Sequence, residues 1–339
     1  MTPFAALGLR LARLRNRRGF WAVVLVAALL VASLFAASVG AAHVPLRQLP
    51  QALVDGQHPA YEILRSVRLP RVAAGALVGG ALAVAGALMQ AVVRNPLADP
   101  GLLGVTQGAG LGGILAIVLW PDRPALVPVL AFAGGVAAVI ALLAAAWSGR
   151  RATGPLRIIL TGVAVQAVLF SVIALVMFVF ADRAPAFVAF TIGSLAGLGW
   201  DDVRRALGPV VLGTFLALLA TRQLNLLLLD DDSAAGVGLA VRRARLGASC
   251  LAALLAAAAA STAGMIAFVG LVVPNGVRLL VGPDHRVLVP LSLLAGATLL
   301  VLADTAARTM AAPLELPVGA LLALIGGPYF LFVLWRKLA

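Results

Sequence analysis

The sequence predicts an all-α, polytopic membrane protein of about ten transmembrane helices, and three observations carry that expectation. The 339-residue chain is 62% hydrophobic and 12% charged, with a mean hydropathy of +1.06; an ordinary soluble domain needs more polar residues to cover its surface. Its apolar runs repeatedly reach about 20 residues, the length that crosses a hydrocarbon core of about 30 Å. Those runs are continuous rather than alternating, which argues against a membrane barrel. Residues 1–339 read as a single transmembrane domain.

Taken in order, the basic segment 1–19 carries Arg10, Arg13, Arg15, Arg17 and Arg18. It predicts a cytoplasmic N-terminus before an uncleaved first span at about 20–42, too long for the apolar region of a signal peptide. A mixed external segment with Pro45, Pro50 and Pro59 follows. Spans two to five are expected at about 72–93, 101–120, 125–147 and 158–180. Residues 181–205, with Pro185, Gly193, Gly197 and Gly199, read as a short or re-entrant helix on the outer side. The sixth span is expected at about 206–222, and 223–244 is an inside segment. Spans seven to ten follow at about 245–264, 265–282, 287–306 and 317–335. Both termini are then cytoplasmic. Of the 26 Lys and Arg residues, 17 fall inside and nine outside, the bias the positive-inside rule requires.

The net charge of +13 is thus explained by topology, and no compact basic domain remains to bind nucleic acid. Cys250 is the single cysteine, so no intrachain disulfide forms, and no Cys/His cluster has metal-ligand spacing. Lys337, the only lysine, is followed by Leu338, so the chain holds no phosphate-binding Gly-Lys-Ser/Thr loop. No nucleophile–base pair or paired carboxylates occupy a mid-membrane position, which predicts neither catalysis nor a cofactor. A buried proton relay is equally lacking. His43, His58 and His285 fall near span ends and read as surface residues.

Gly75/Gly79, Gly104/Gly108/Gly112 and Gly193/Gly197 recur at four-residue spacing, which predicts close helix packing, with a glycine-lined path as the alternative. Asp304 and Arg308 are four apart and could pair on one helix face. In the stretch LNLLLLDDDSAAGVGLAVRRAR, Asp230, Asp231, Asp232 and Ser233 are suited to cap a short helix, and Gly236 and Gly238 to turn the chain back. Apolar residues between the charged ends predict a short amphipathic helix that docks into another protein; a solvated loop is the alternative.

Several ordered motifs resemble one family. They are RLPR at Arg68–Arg71, GALAVAGALMQAVVRNPLADPGLLGVTQGAG from Gly80, LTGVA from Leu160, GSLAGLGW from Gly193, LNLL from Leu224, FVGLVVP from Phe268, GPDHRVLVPLS from Gly282, LADTAAR from Leu302 and ELPVGALLALIGGPYF from Glu315. Together they make the chain similar, over about 60–335, to FecCD-type permease subunits of bacterial ABC importers for ferric siderophores, haem and cobalamin. The resemblance implies a type II importer permease fold in the inner membrane, a second permease copy or paralogue, two separate ATP-binding subunits and an outer substrate-binding protein. It implies binding-protein docking at Arg68, Arg71 and Arg308. It implies ATPase coupling through about 230–241, with Asp230, Asp231, Asp232, Ser233, Ala234 and Gly238. Asn95, Leu97, Gly154, Pro155 and Leu156 would border the inner mouth. Helix five, 181–199 and the start of helix three would line the path.

The chain departs from the family pattern at Asp230, usually Gly, at Asn275, usually His, at Met265-Ile266-Ala267 and at Gly154-Pro155-Leu156. A ferric siderophore is the favoured cargo, with haem or cobalamin next. A secondary transporter, which would need inverted repeats and ionisable residues near the midplane, is the competing class; a membrane scaffold is another.

Overall fold

The computed structural model describes residues 18–40, 44–147, 155–311 and 314–338. Among them, helices occupy all ten predicted spans and no strand occurs. We label α1 Arg18–Ser38, α2 Leu69–Val93, α3 Val105–Leu119, α4 Leu126–Trp147, α5 Pro155–Val179, α6 Ala184–Ile192, α7 Trp200–Leu219, α8 Asp231–Gly236, α9 Val241–Ala263, α10 Val269–Val281, α11 His285–Met310 and α12 Val318–Leu338. Helices α6 and α8 are the short elements between spans. The basic residues Arg10–Arg17, His43 and the loop 148–154 lie outside the described residues.

The bundle is organised around α2. Its sequence, LPRVAAGALVGGALAVAGALMQAVV, is mostly Ala, Gly and Val, and every residue from Val78 to Val93 is buried. Small side chains on all sides let four helices, α7, α9, α10 and α11, pack against it. The tightest approaches are glycine on glycine. A methyl group on Gly79 would fall on the carbonyl oxygen of Gly296 in α11, and one on Gly86 on that of Gly270 in α10. Pro70 sits in the first turn, where its missing N–H breaks no ladder bond. At the other end Arg94 terminates the helix with φ 55°, a left-handed conformation normally given to glycine.

The α3–α4 hairpin uses the same device. Gly108 faces the carbonyl oxygen of Gly134, and Gly112 that of Leu130. The packing expected of the four-residue glycine spacing therefore holds for Gly79, Gly108 and Gly112. Gly197 instead has open space and φ +76°, so it serves a turn. The alanine-rich α9 buries Ala252, Ala253 and Ala256–Ala260 against its neighbours.

Two helices stay on the outside. Only 17% of the most apolar window of α1 and 11% of that of α5 is buried, against 78% for the helix that contains α2. Leu160, Val163, Val168, Phe170, Leu175 and Phe178 make α5 an apolar outer face.

Two boundaries differ from expectation. Helix α7 starts at Trp200, because Asp202 accepts from the N–H of Gly199 at 2.9 Å and caps a helix whose charged first turn masks it in a hydropathy reading. Helix α10 starts only at Val269: Gly264 has φ +73° and Phe268 φ +68°, so the apolar stretch between them is not helical. The short helix expected within 181–205 is present: a 3-10 turn at Ala181–Arg183 leads into the nine-residue α6, closed by Gly193 at φ +78° before α7 begins. Gly193 accepts from the N–H of Gly319 at 3.1 Å, which ties α6 to α12.

Gly86→Ala should cost about 1–3 kcal/mol, because the methyl meets backbone that cannot move alone. Gly208→Ala, in open space on α7, should be neutral or stabilising. Thermal unfolding in detergent, followed by circular dichroism, separates the two.

Candidate functional site

One end of the bundle gathers Arg68, Arg71 and Arg308. Arg71, in the first turn of α2, directs Nε and Nη2 onto the two carboxylate oxygens of Asp304 at 2.8 and 2.9 Å. Its Nη1 donates to Glu315 at 2.8 Å. The Arg71 and Asp304 side chains are each 8% exposed, and that of Glu315 is 48% exposed. The planar guanidinium fork is what makes this two-point pairing possible. Arg68 donates to the carbonyl oxygens of Ala37 at 2.6 Å and Ser38 at 3.1 Å, and Arg308 to that of Ala36. Both therefore cap the C-terminus of α1, the negative end of its dipole.

One expectation changes here. Arg308 is not the ion-pair partner of Asp304: Asp304 is taken by Arg71, whose charge arrives from another helix with better geometry, while the Arg308 head group turns to α1. Arg68 and Arg71, which the topology assigns to the outer side of the membrane, have buried side chains at this end of the bundle. Among the described residues, the exposed cations at this end include Arg47, Arg65, Arg123, Arg204 and Arg205.

The opposite end is built on α8. Asp230 caps it, its carboxylate accepting from the N–H of Ser233 at 2.9 Å. Ala234 is the residue that α8 buries. Its carbonyl accepts from Leu239 N–H at 3.0 Å, and Gly238 turns the chain with φ +86°. Asp231 receives both Arg245 Nη1 at 2.9 Å and Arg245 Nη2 at 2.7 Å, and Arg94 Nη2 lies 2.9 Å from the same carboxylate. Arg94 also donates to the Leu229 carbonyl at 2.8 Å. The Arg245 hydrogen bonds hold the Asp231 carboxyl below the usual carboxylate range, and the Ser233 N–H does the same for Asp230. Asp232, Ser233, Ala235 and Val237 are exposed.

Beside α8, Asn95 accepts from Leu97 N–H at 2.9 Å to close the turn after α2. Asn95 is exposed and Leu97 half-buried. Leu156 is 66% exposed at the start of α5, whose first residue is Pro155; Gly154 lies outside the described residues. His285 is not a surface residue: it is fully buried, held by Asn225, whose Oδ1 accepts the His285 backbone N–H at 2.8 Å and lies 2.9 Å from Nδ1. Asn225 in turn donates to Asp284 at 2.8 Å. His58 is half-buried. The expected path-lining start of α3 is only partly available, since Gly108, Gly110 and Gly112 are buried within the chain.

The profile of the FecCD transport family matches residues 25–336. The chain belongs to the FecCD transport family. A FecCD relative, the Fe(3+) dicitrate transport system permease protein FecD of Escherichia coli, is 42% identical over 296 residues, covering 86% of this chain and 91% of the relative. The cobalamin import system permease protein BtuC of Halobacterium salinarum is 42% identical over 276 residues, 81% and 74% of the two chains. The hemin transport system permease protein HmuU of Yersinia pestis is 40% identical over 284 residues, 82% and 84%. A solved chain described as an inward-facing metal-chelate type ABC transporter superposes with TM-score 0.83 at 27% identity, covering 93% of this chain and 98% of that one. This FecCD protein is accordingly a multi-pass permease subunit of an ABC importer, not an enzyme.

Sequence reasoning missed the structural roles of Arg94 and Arg245 and gave Asp304 the wrong partner. Arg94 and Arg245 read as loop charges that set topology, and their common partner is 137 and 14 residues away in the chain.

Asp304→Asn should destabilise the protein by about 2–4 kcal/mol by leaving a buried guanidinium with only the half-exposed Glu315 carboxylate as counter-charge, and Arg71→Met with Asp304→Leu should cost clearly less. A double-mutant cycle of unfolding in detergent measures the difference. Because the folded-state pKa of Asp231 is depressed, its stabilisation is present above the unfolded value and is lost as pH falls through the folded one. Amide protection of 231–239 should therefore be unchanged from about pH 7 to about pH 5 and fall only below the ordinary carboxylate range.

Proposed function

We propose that this permease, paired with a second copy or a paralogue, forms the membrane pathway of an importer that carries a ferric chelate, first of all a ferric siderophore, into the cytoplasm. The observation that supports this most is the combination of the family match over residues 25–336 with a capped six-residue helix, α8, on which Asp232, Ser233 and Ala235 are exposed among the described residues. The iron-chelate names of FecD and other relatives favour that cargo. Haem and cobalamin form the second reading, favoured by relatives of equal or nearly equal identity.

The charge bias of 17 against nine orients α8, Asn95, Leu97 and the loop before Leu156 toward the cytoplasm, with both termini there. Two ATP-binding subunits receive α8 of each permease, with Asp230, Asp231, Asp232, Ser233, Ala234 and Gly238 forming or shaping the contact. ATP binding closes those subunits, and each α8 passes the movement to its bundle as rigid rocking. The arginine end faces outward and receives the substrate-binding protein. There Arg308, with Arg68 and Arg71 beneath it, holds the shape of the docking edge, and exposed Arg65 and Arg204 extend its positive charge. The apolar face of α5 borders the path, because a large cargo passes only where no site binds it tightly. The chelator already coordinates the metal, so the permease needs no iron ligand.

Purified permease with its ATP-binding subunits and binding protein, in proteoliposomes, should accumulate labelled ferric chelate only with ATP. Uptake driven by a proton gradient without ATP would contradict the proposal. Competition among ferric dicitrate, a ferric hydroxamate, haem and cobalamin assigns the cargo. Arg308→Glu and Arg68→Glu should each weaken binding-protein capture and uptake about tenfold or more, as expected for a charge reversal at a docking edge; normal capture in both would remove these arginines from docking.

A further inference from the structure

A short helix can move a bundle only if it is stiffly joined to it, and the covalent joins of α8 are soft. One side is the turn Leu227–Asp230, and the other is Gly236 and Gly238, the latter at φ +86°. Helix α8 buries Ala234, too little apolar area to resist sliding. What crosses from α8 to the bundle is charge. The Asp231 carboxylate takes both arms of the Arg245 fork at 2.7 and 2.9 Å, and Arg94 lies 2.9 Å away.

These two arginines stand at the roots of different helices. Arg245, whose side chain is 3% exposed, lies in the first turns of α9, and its Nε also approaches the carbonyl oxygen of Val92 near the end of α2 at 3.4 Å. Arg94 is the left-handed residue that ends α2, and it spans to both Asp231 and the Leu229 carbonyl just before α8. A non-glycine residue at φ 55° carries a conformational cost, yet this one aims its guanidinium at α8.

We propose that Arg245 and Arg94 are positioning residues that, through Asp231, lock α8 to α9 and α2, so that movement of α8 reaches the core of the bundle instead of being absorbed at Gly238. The proposal rests on the ATP-driven reading above and adds the internal link that reading requires. Neither arginine needs to touch the ATP-binding subunit. Their loss therefore uncouples hydrolysis from uptake without preventing assembly.

The test measures three quantities on the reconstituted complex: co-purification of the ATP-binding subunits, ATP hydrolysis and chelate uptake. Arg245→Gln and Arg94→Asn, the latter tolerant of a left-handed backbone, should assemble and hydrolyse ATP near the wild-type rate. Uptake per ATP should fall about tenfold, as expected when a bidentate charge pair is lost. Arg245→Lys, which keeps the charge without the fork, should recover part of the coupling. Unchanged uptake per ATP in both variants overturns the proposal. Loss of assembly together with uptake overturns it too, since the arginines would then only hold the docking shape. Should Arg245→Gln fail to fold, Arg94→Asn, at a half-buried position, decides the matter alone. A wild-type complex that takes up chelate without ATP would instead refute the importer reading.

Discussion

Everything in this bundle depends on α2 being narrow. A membrane helix surrounded by four others has no lipid-facing side on which to place bulky residues, and in hydrocarbon the association of helices draws on close packing rather than on release of water. Alanine and glycine meet both demands. The contacts at Gly79–Gly296 and Gly86–Gly270 bring backbones together with nothing between them. Such contacts tolerate little relative translation, so α2, α10 and α11 behave as one unit.

The ends of that unit carry the charges. At one end Arg71 leaves α2 to meet Asp304 of α11 and Glu315; at the other Arg94 leaves α2 to meet Asp231 of α8. Buried ion pairs contribute little net stability, because desolvation offsets attraction, but they specify geometry, since a fork and a carboxylate fit in few orientations. In this protein such pairs lie at the two ends of α2, buried at Arg71–Asp304 and partly exposed at Arg94–Asp231. The central helix is thus rigid in its middle by packing and oriented at its ends by charge, an arrangement suited to carrying movement from one side of a membrane to the other.

Much of this was legible in the chain. Length and hydropathy located the spans, and the Asp-Asp-Asp-Ser run announced a capped helix between Leu229 and Gly238. The failures have physical causes. The start of α7 holds Asp201, Asp202, Arg204 and Arg205, which lower local hydropathy although their i,i+3 pairs suit a helix end. The stretch before Val269 is apolar and periodic enough to pass for helix, but Phe268 has a positive φ and lays its ring over Gly326, a contact distant in sequence. Local spacing pointed Asp304 to Arg308, whereas the actual partner lies 233 residues away. His285 sits at a span end, yet it enters a buried notch under Asn225. Apart from the start of α7, whose pairs are local, a partner distant in sequence outweighed a near one.

The most direct test is to ask which helices touch lipid. A small apolar diazirine dissolved in the bilayer inserts on photolysis into whatever side chains it meets, and peptide mass spectrometry locates the adducts. Helix α1 should be labelled along its length, and residues 78–93 of α2 should remain unlabelled on every face. Labelling of α2 to the level of α1 would contradict a bundle built around it.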